Sequence, residues 1–201
     1  MGNKIVLFLV AIIALVGVST ALLFTREHVM AGSVIDPPVP APDINLPSSH
    51  GDQFHLQDQQ GKLVLLFFGY TFCPDVCPAT LVNMQQIKKQ LGERASLVTF
   101  VFVTVDPGRD TQDQMARYMK SFDETFYGLT GSEEELEQIW DAFGVYRETQ
   151  ESNSSSAYLV DHTSRLYLIN KNGQLSATYL VDTSVGSIVS DLKYMLTQRD
   201  P

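Results

Sequence analysis

The sequence predicts an α/β domain behind an N-terminal transmembrane helix, and three observations carry that prediction. The apolar run Leu63-Val64-Leu65-Leu66-Phe67-Phe68 has the length and composition of a strand buried on both faces, as in the middle of an α/β sheet. The chain's two cysteines follow it, in Cys73-Pro74-Asp75-Val76-Cys77-Pro78, directly before a helical pattern. Far upstream, Ile5 to Phe24 is uncharged and almost wholly apolar, and as a helix it would span about 30 Å, the hydrocarbon thickness of a bilayer.

In chain order, residues 1–25 read as a single-pass membrane anchor. A cleaved signal would have a shorter apolar stretch, of about 7–15 residues, with small residues beyond it. Here Ser19-Thr20-Ala21 lies inside the run. Lys4 places the amino terminus on the cytoplasmic side by the positive-inside rule, although Arg26 on the far flank pulls the other way. The expected location is thus a bacterial cell membrane, with the domain on the periplasmic side. Residues 26–42 include Asp36-Pro37-Pro38-Val39-Pro40-Ala41-Pro42, whose prolines favour an extended tether. Residues 43–201 suffice for one domain with one core.

Within that domain, Val64–Phe68 and the β-branched and aromatic stretch Leu97–Val105 read as two strands. Between them Leu81, Met84, Ile87 and Leu91 follow helical spacing, and Gly92 supplies a stop. This is a βαβ unit, expected to be parallel and right-handed. Asp110-Thr111 opens a helix through Met115, Tyr118 and Met119, and Ser132 with Glu135 forms a capping box for another, whose apolar face is Leu136, Ile139, Trp140 and Phe143. A polar loop is expected over Glu148–Ser156. Ala157–Val160, Leu166–Ile169 and Leu175–Leu180 read as closing strands, with Asn172-Gly173 as a two-residue hairpin turn. A last helix over Val185–Leu196 aligns Ile188, Val189, Leu192 and Leu196. The order βαβ, helices, β-hairpin, α is that of a thioredoxin-like fold.

The formal net charge is −9 and no cluster of Lys and Arg occurs, which argues against a nucleic-acid partner. The chemistry therefore falls to the thiols. A disulfide closing so short a loop stabilises by only about 2 kcal/mol, so a structural staple explains the pair less well than a reactive dithiol or a metal clamp. At a helix N-terminus, exposed N–H groups and the helix dipole favour thiolate over thiol. Two thiolates select Cu(I), Zn or a similarly soft ion.

A third ligand is sought among four histidines. His28, His50 and His55 are expected at the surface. His162 follows Tyr158-Leu159-Val160-Asp161, on a strand expected near the first core strand, where a thioredoxin-like oxidoreductase places a cis-proline. No proline lies between Pro107 and Pro201. An imidazole there would complete a Cys2His site.

Three segments, Gly69-Tyr70-Thr71-Phe72-Cys73-Pro74-Asp75-Val76-Cys77-Pro78, Val105-Asp106-Pro107-Gly108-Arg109-Asp110-Thr111 and Tyr158-Leu159-Val160-Asp161-His162, resemble the Sco family, copper-binding assembly factors of cytochrome c oxidase. The likeness runs from about residue 43 onward and extends to the anchor and tether. It implies Cys73, Cys77 and His162 as metal ligands, copper as Cu(I) or Cu(II) as the cargo, and the oxidase subunit carrying the CuA centre, with other copper carriers, as partners. On this reading the protein is a copper chaperone rather than an enzyme, and oxidation of the dithiol to a disulfide releases the metal. Asp75 would orient backbone groups or stay solvated, and Asp161 would cap a turn. The rivals share the thiols: a membrane-tethered thiol-disulfide oxidoreductase attacking through Cys73 and resolving through Cys77, a peroxiredoxin-like peroxidase, and a redox sensor. Dependence on His162 separates them from the clamp.

Overall fold

The computed structural model describes residues 2–5, 7–10, 12–13, 15, 28–150 and 158–198. In chain order the strands are β1 (Ser33–Pro40), β2 (Asn45–Pro47), β3 (Gln53–His55), β4 (Leu63–Gly69), β5 (Val98–Thr104), β6 (Tyr127–Leu129), β7 (Arg147–Gln150), β8 (Leu159–His162), β9 (Arg165–Ile169) and β10 (Gln174–Leu180). The helices of the domain are α1 (Val76–Leu91), α2 (Gln112–Phe122), α3 (Glu133–Phe143) and α4 (Val185–Thr197). The main sheet runs β1-β10-β9-β4-β5-β6.

Its centre is the predicted βαβ unit. β4 and β5 pair in parallel from Leu63↔Val98 to Gly69↔Thr104, and every residue of both is buried. Burial on both faces explains why these strands are continuous apolar runs rather than alternating ones. Each large apolar side chain so buried contributes about 1.5–3 kcal/mol, which makes this pair the stiff part of the molecule. β9 lies antiparallel against β4, and β10 against β9. The arrangement is thioredoxin-like, with β4 ending at the dithiol.

The helices start where the sequence marks them. Thr111 caps α2 by accepting from the Gln114 N–H, Ser184 caps α4 by accepting from Ser187, and Ser132 and Glu135 form the complete capping box of α3. Gly144, in the left-handed conformation at φ 67°, ends α3 as glycine readily can. α1 buries Leu81, Met84, Ile87 and Leu91.

Four features differ from the sequence-based expectation. β1 lies wholly within the segment read as a tether and pairs antiparallel with β10. Proline lacks the N–H needed inside a sheet, but at an edge strand that loss is tolerated, and the register breaks between Val34 and Val39, where Pro37 and Pro38 fall. The second difference is His28, which is not a solvated side chain. Its Nε2 lies 2.8 Å from Oδ1 of the buried Asp191, and its ring stacks on Tyr194 at 4.4 Å. The other Asp191 oxygen accepts from the backbone N–H groups of Ala31 and Gly32, so the approach to β1 is fastened to α4.

Third, the strand carrying His162 does not close the main sheet. β8 pairs with β7 in a separate two-stranded ribbon, from Arg147↔His162 to Gln150↔Leu159. Arg147-Glu148-Thr149-Gln150 is polar on both faces and reads as loop because no apolar alternation marks it. Residues 151–157 lie outside the described residues. Fourth, the β9–β10 hairpin turns through Lys171, Asn172 and Gly173: Gln174 N–H donates to Asn170 Oδ1, and Asn170 N–H to the Gln174 carbonyl. Gly173, at φ 74°, takes the left-handed position of this three-residue loop.

The expected anchor, Ile5–Phe24, falls largely outside the described residues. Those described between residues 2 and 15 are helical, with Leu7, Phe8, Ile13 and Leu15 all exposed. Among the described residues no helix is long and apolar enough to cross a membrane.

Candidate metal centre

Cys77 sits in the first turn of α1, fully buried, and Cys73 lies half-buried just ahead of the helix. The position that normally caps a helix is Asp75, whose side chain makes no capping hydrogen bond. The sulfur of Cys73 does this work instead, accepting the Cys77 backbone N–H at 3.4 Å. A sulfur used as a helix cap is held in the positive field of the helix N-terminus. Behind Cys77 the chain leaves room only for glycine: a Cβ on Gly69 would stand 2.9 Å from Cys77 Sγ and 2.8 Å from the Phe102 ring.

The two thiols are electrostatically unlike. A hydrogen bond from the Cys77 thiol, assisted by the N–H groups of Asp75 and Cys77 and opposed by partial burial, pulls the Cys73 pKa down to about 5. Cys77 moves strongly the other way, because its proton is held by Cys73 and because burial disfavours its thiolate. At neutral pH the pair therefore carries one thiolate, on Cys73.

His162 reaches this pair from the β7–β8 ribbon. Its Nε2 is 3.8 Å from Cys77 Sγ. Its Nδ1 lies 3.1 Å from the Thr163 carbonyl, which can only accept, so Nδ1 carries the proton and Nε2 presents its lone pair to the sulfur. Burial holds the imidazole pKa below its ordinary value, so the ring is neutral and ready to ligate at pH 7. Phe67 and Tyr70 flank it edge-on at 6.1 and 6.0 Å, and the Tyr70 hydroxyl accepts the Val160 N–H. Between the two arms lies an open cleft of about 320 Å³, whose lining includes Tyr70, Cys73, Pro74, Leu159 and His162.

The donors suit a soft ion. With bonds of about 2.3 Å to sulfur and about 2.0 Å to nitrogen, a tetrahedral or trigonal metal separates its S and N ligands by roughly 3.5–3.8 Å, and Cys77 and His162 already have that spacing. Among the described residues no group of three Cys, His, Asp or Glu side chains is yet gathered closely enough to hold a metal. Cys73 borders the open cleft that His162 also lines. The other histidines do not line that cleft. His28 is paired with Asp191, His50 Nε2 lies 3.0 Å from the Glu124 carbonyl with its ring on Tyr127, and His55 is at the end of β3.

The SCO1/SenC family model matches residues 40–197. The chain belongs to that family. A SCO2-like protein of Rickettsia felis is 33% identical over 201 residues, covering 96% of this chain and 98% of its own length. The solution structure of apo Sco1 from Thermus thermophilus is 35% identical with a TM-score of 0.76, covering 85% of this chain and 99% of the other. A copper-bound ScoI structure from Bradyrhizobium japonicum is 31% identical with a TM-score of 0.73, over 79% of this chain and 100% of that one. These proteins are similar in both sequence and fold.

The sequence singled out the thiols and His162 but missed the shell around them. Buried Asp110 accepts from Thr71 N–H at 3.0 Å, Thr71 Oγ1 at 2.6 Å and Thr104 Oγ1 at 2.6 Å, fixing the loop that leads to Cys73. Burial raises its pKa against those hydrogen bonds. Asp106, also buried, binds Arg109 Nε and the Tyr158 hydroxyl. The Asp-Pro-Gly-Arg-Asp segment stood out in the sequence only through the family resemblance, since nothing in its local pattern says what its carboxylates face.

Proposed function

We propose that this protein is a copper chaperone that holds the ion between Cys73, Cys77 and His162 and serves assembly of the CuA site of cytochrome c oxidase. The observation that carries the reading is the Cys77–His162 approach, with the lone pair of Nε2 directed at the sulfur. Membership in the SCO1/SenC family and the copper-bound ScoI relative support copper as the cargo. Cys73, already ionised, offers the first thiolate to an arriving Cu(I). Cys77 then loses its proton to the medium and joins, and His162 supplies the third donor. Soft thiolates with one imidazole suit Cu(I) better than the harder ions. The oxidase subunit and other copper carriers are the expected partners. An anchor over residues 1–25 would keep the domain at a bacterial cell membrane, on its outer side.

A second reading finds support in the asymmetry of the thiols. A half-buried low-pKa sulfur beside a fully buried high-pKa one suits thiol-disulfide exchange. Cys73 thiolate attacks a client disulfide, expelling one client thiolate. Cys77, deprotonating as it attacks, resolves the mixed disulfide and leaves the client with two reduced cysteines. Loss of both thiolates in the resulting disulfide also frees any bound copper, so the same step serves as release.

Titration of Cu(I) into the reduced protein, compared with Cys73→Ser, Cys77→Ser and His162→Ala variants, tests the clamp. The two cysteine variants are expected to lose stoichiometric binding, and His162→Ala to bind more weakly than the parent. If His162→Ala binds copper as the parent does while disulfide exchange tracks the cysteines, the reductase reading replaces the chaperone.

A further inference from the structure

His162 belongs to a ribbon outside the main sheet, whereas the cysteines belong to the β4–α1 junction, so something must fix the distance between the two arms. Tyr70 links them through its hydroxyl and Val160, and a second side chain, Arg109, touches both. The Arg109 guanidinium stacks on the Tyr158 ring at 3.6 Å and stands 4.9 Å from the centroid of Phe72 and 5.7 Å from that of Tyr70. Phe72 is the residue before Cys73, and Tyr158 is the residue before β8. Arg109 Nη1 also donates to the Tyr158 carbonyl at 3.0 Å. Its Nε is paired with Asp106, whose other oxygen accepts the Tyr158 hydroxyl at 2.6 Å. Among the described residues Nη2 is buried without a hydrogen-bond partner, so beyond those two bonds the group's packing against them is aromatic. A planar cation between two rings is a contact that lysine does not reproduce.

We infer that Arg109 is a positioning residue: it clamps the Cys73 loop to the start of the His162 strand and so sets the Cys77–His162 spacing. The contacts of its side chain are to Asp106, Tyr158, Phe72 and Tyr70 and to none of the three candidate ligands. Its neighbours complete the fastening on each side, Asp110 by holding Thr71 and the Tyr70 hydroxyl by holding Val160. Without the guanidinium the ribbon keeps its β7 pairing and the dithiol keeps its helix cap, but the two arms are left with the lighter Tyr70–Val160 hydrogen bond between them. The proposal rests on the chaperone reading for its effect on copper, though not for its effect on geometry.

The test uses Arg109→Ala, Arg109→Lys, Tyr158→Phe and Phe72→Leu in the full chain, reduced. In the metal-free state, NMR contacts between the His162 ring and the Phe67 and Tyr70 rings report the spacing directly. They are expected to weaken in both Arg109 variants and to persist in Tyr158→Phe, which keeps the stacking ring. Phe72→Leu removes one wall of the stack at a half-exposed position and is expected to lie between. With Cu(I) as the probe, X-ray absorption should show sulfur ligation retained and nitrogen ligation lost in Arg109→Ala, with an affinity fall of about 10–100-fold. Undiminished His162 ring contacts in Arg109→Ala, or in Phe72→Leu if the alanine variant does not fold, overturn the clamp. If the contacts weaken as expected but the parent binds no Cu(I), the clamp stands and the chaperone reading fails.

Discussion

Cys77 and His162 stand 3.8 Å apart, yet opposite kinds of structure hold them. The cysteine caps the end of the most deeply buried strand pair in the molecule, with α1 packed behind it. The histidine ends a four-residue strand whose partner, β7, is largely exposed. One arm is fixed by the core, the other by a few hydrogen bonds and a stacked guanidinium. On the proposed chaperone reading, thiolates on the rigid arm would keep hold of the ion, while the imidazole on the lighter arm would withdraw as a client ligand arrives.

The largest effects should fall on metal binding and should rank by arm. Cys73→Ser and Cys77→Ser are expected to abolish tight Cu(I) binding, because one thiolate and an imidazole no longer make a soft chelate. His162→Ala should weaken it by at least the 10–100-fold that loss of an outer-shell partner costs while leaving the sulfur ligation in place. Competition against a chromophoric Cu(I) chelator measures both, and equal loss in all three would erase the distinction between the arms.

Stability should divide the same way. Leu66→Ala, in the middle of β4, is expected to cost about 2–5 kcal/mol, whereas Thr149→Ala on the exposed strand of the ribbon should stay within about 0.5 kcal/mol. Denaturant unfolding checks these values. Native-state hydrogen exchange checks the pattern, with β4 and β5 amides opening only globally and β7–β8 amides opening locally. Ribbon protection equal to that of β4 would contradict the contrast.

Acid titration sharpens the comparison within the dithiol. Thiolate absorbance should develop around pH 5 for Cys73, while Cys77 stays protonated far beyond. Cys73 is more acidic folded than at its unfolded value of about 8.5, so its stabilising contribution is complete above that pH and fades as pH falls toward 5. Cys77 is less acidic folded than unfolded, so it lowers stability as pH rises past about 8.5. The reduced, metal-free domain should therefore be most stable near pH 8.5, all else equal. Cu(I) binding at pH 7 should release about one proton, from Cys77. Two released protons, seen by calorimetry in buffers of different ionisation enthalpy, would place both thiols in the protonated state.

The smallest expected effect lies far from the site. His28→Ala removes one hydrogen bond to Asp191 and one ring stack on Tyr194 and should lower stability by about 1 kcal/mol, with copper affinity unchanged.

The sequence was most legible where one physical rule dominated. Continuous apolar runs announced β4 and β5, and Asp110-Thr111 and the Ser132–Glu135 capping box announced two helix starts. The thiols could be read because a strand ending shortly before Cys73 and a helix starting by Cys77 leave little else for them to do. β7 could not, since Arg147-Glu148-Thr149-Gln150 has no buried face and hence no alternation. β1 was obscured by its prolines, which look the same in a free tether and on a sheet edge. The network of Asp106, Arg109 and Asp110 depends on partners 39 to 52 residues away in sequence, and no local pattern encodes such separations.

The fastening of residues 28–32 to Asp191, continued by the pairing of β1 with β10, changes how any upstream attachment would act. Force or confinement applied ahead of His28 enters the domain through α4 and the sheet edge rather than through a slack leash. A leash of some seventeen free residues would let the dithiol sample a sphere roughly 20 Å or more in radius. A mounted domain samples a thin shell. For a domain so mounted, effective concentration toward a client fixed in the same plane would depend on the angle of the mount more than on linker length, and the Asp191 fastening would help to set that angle.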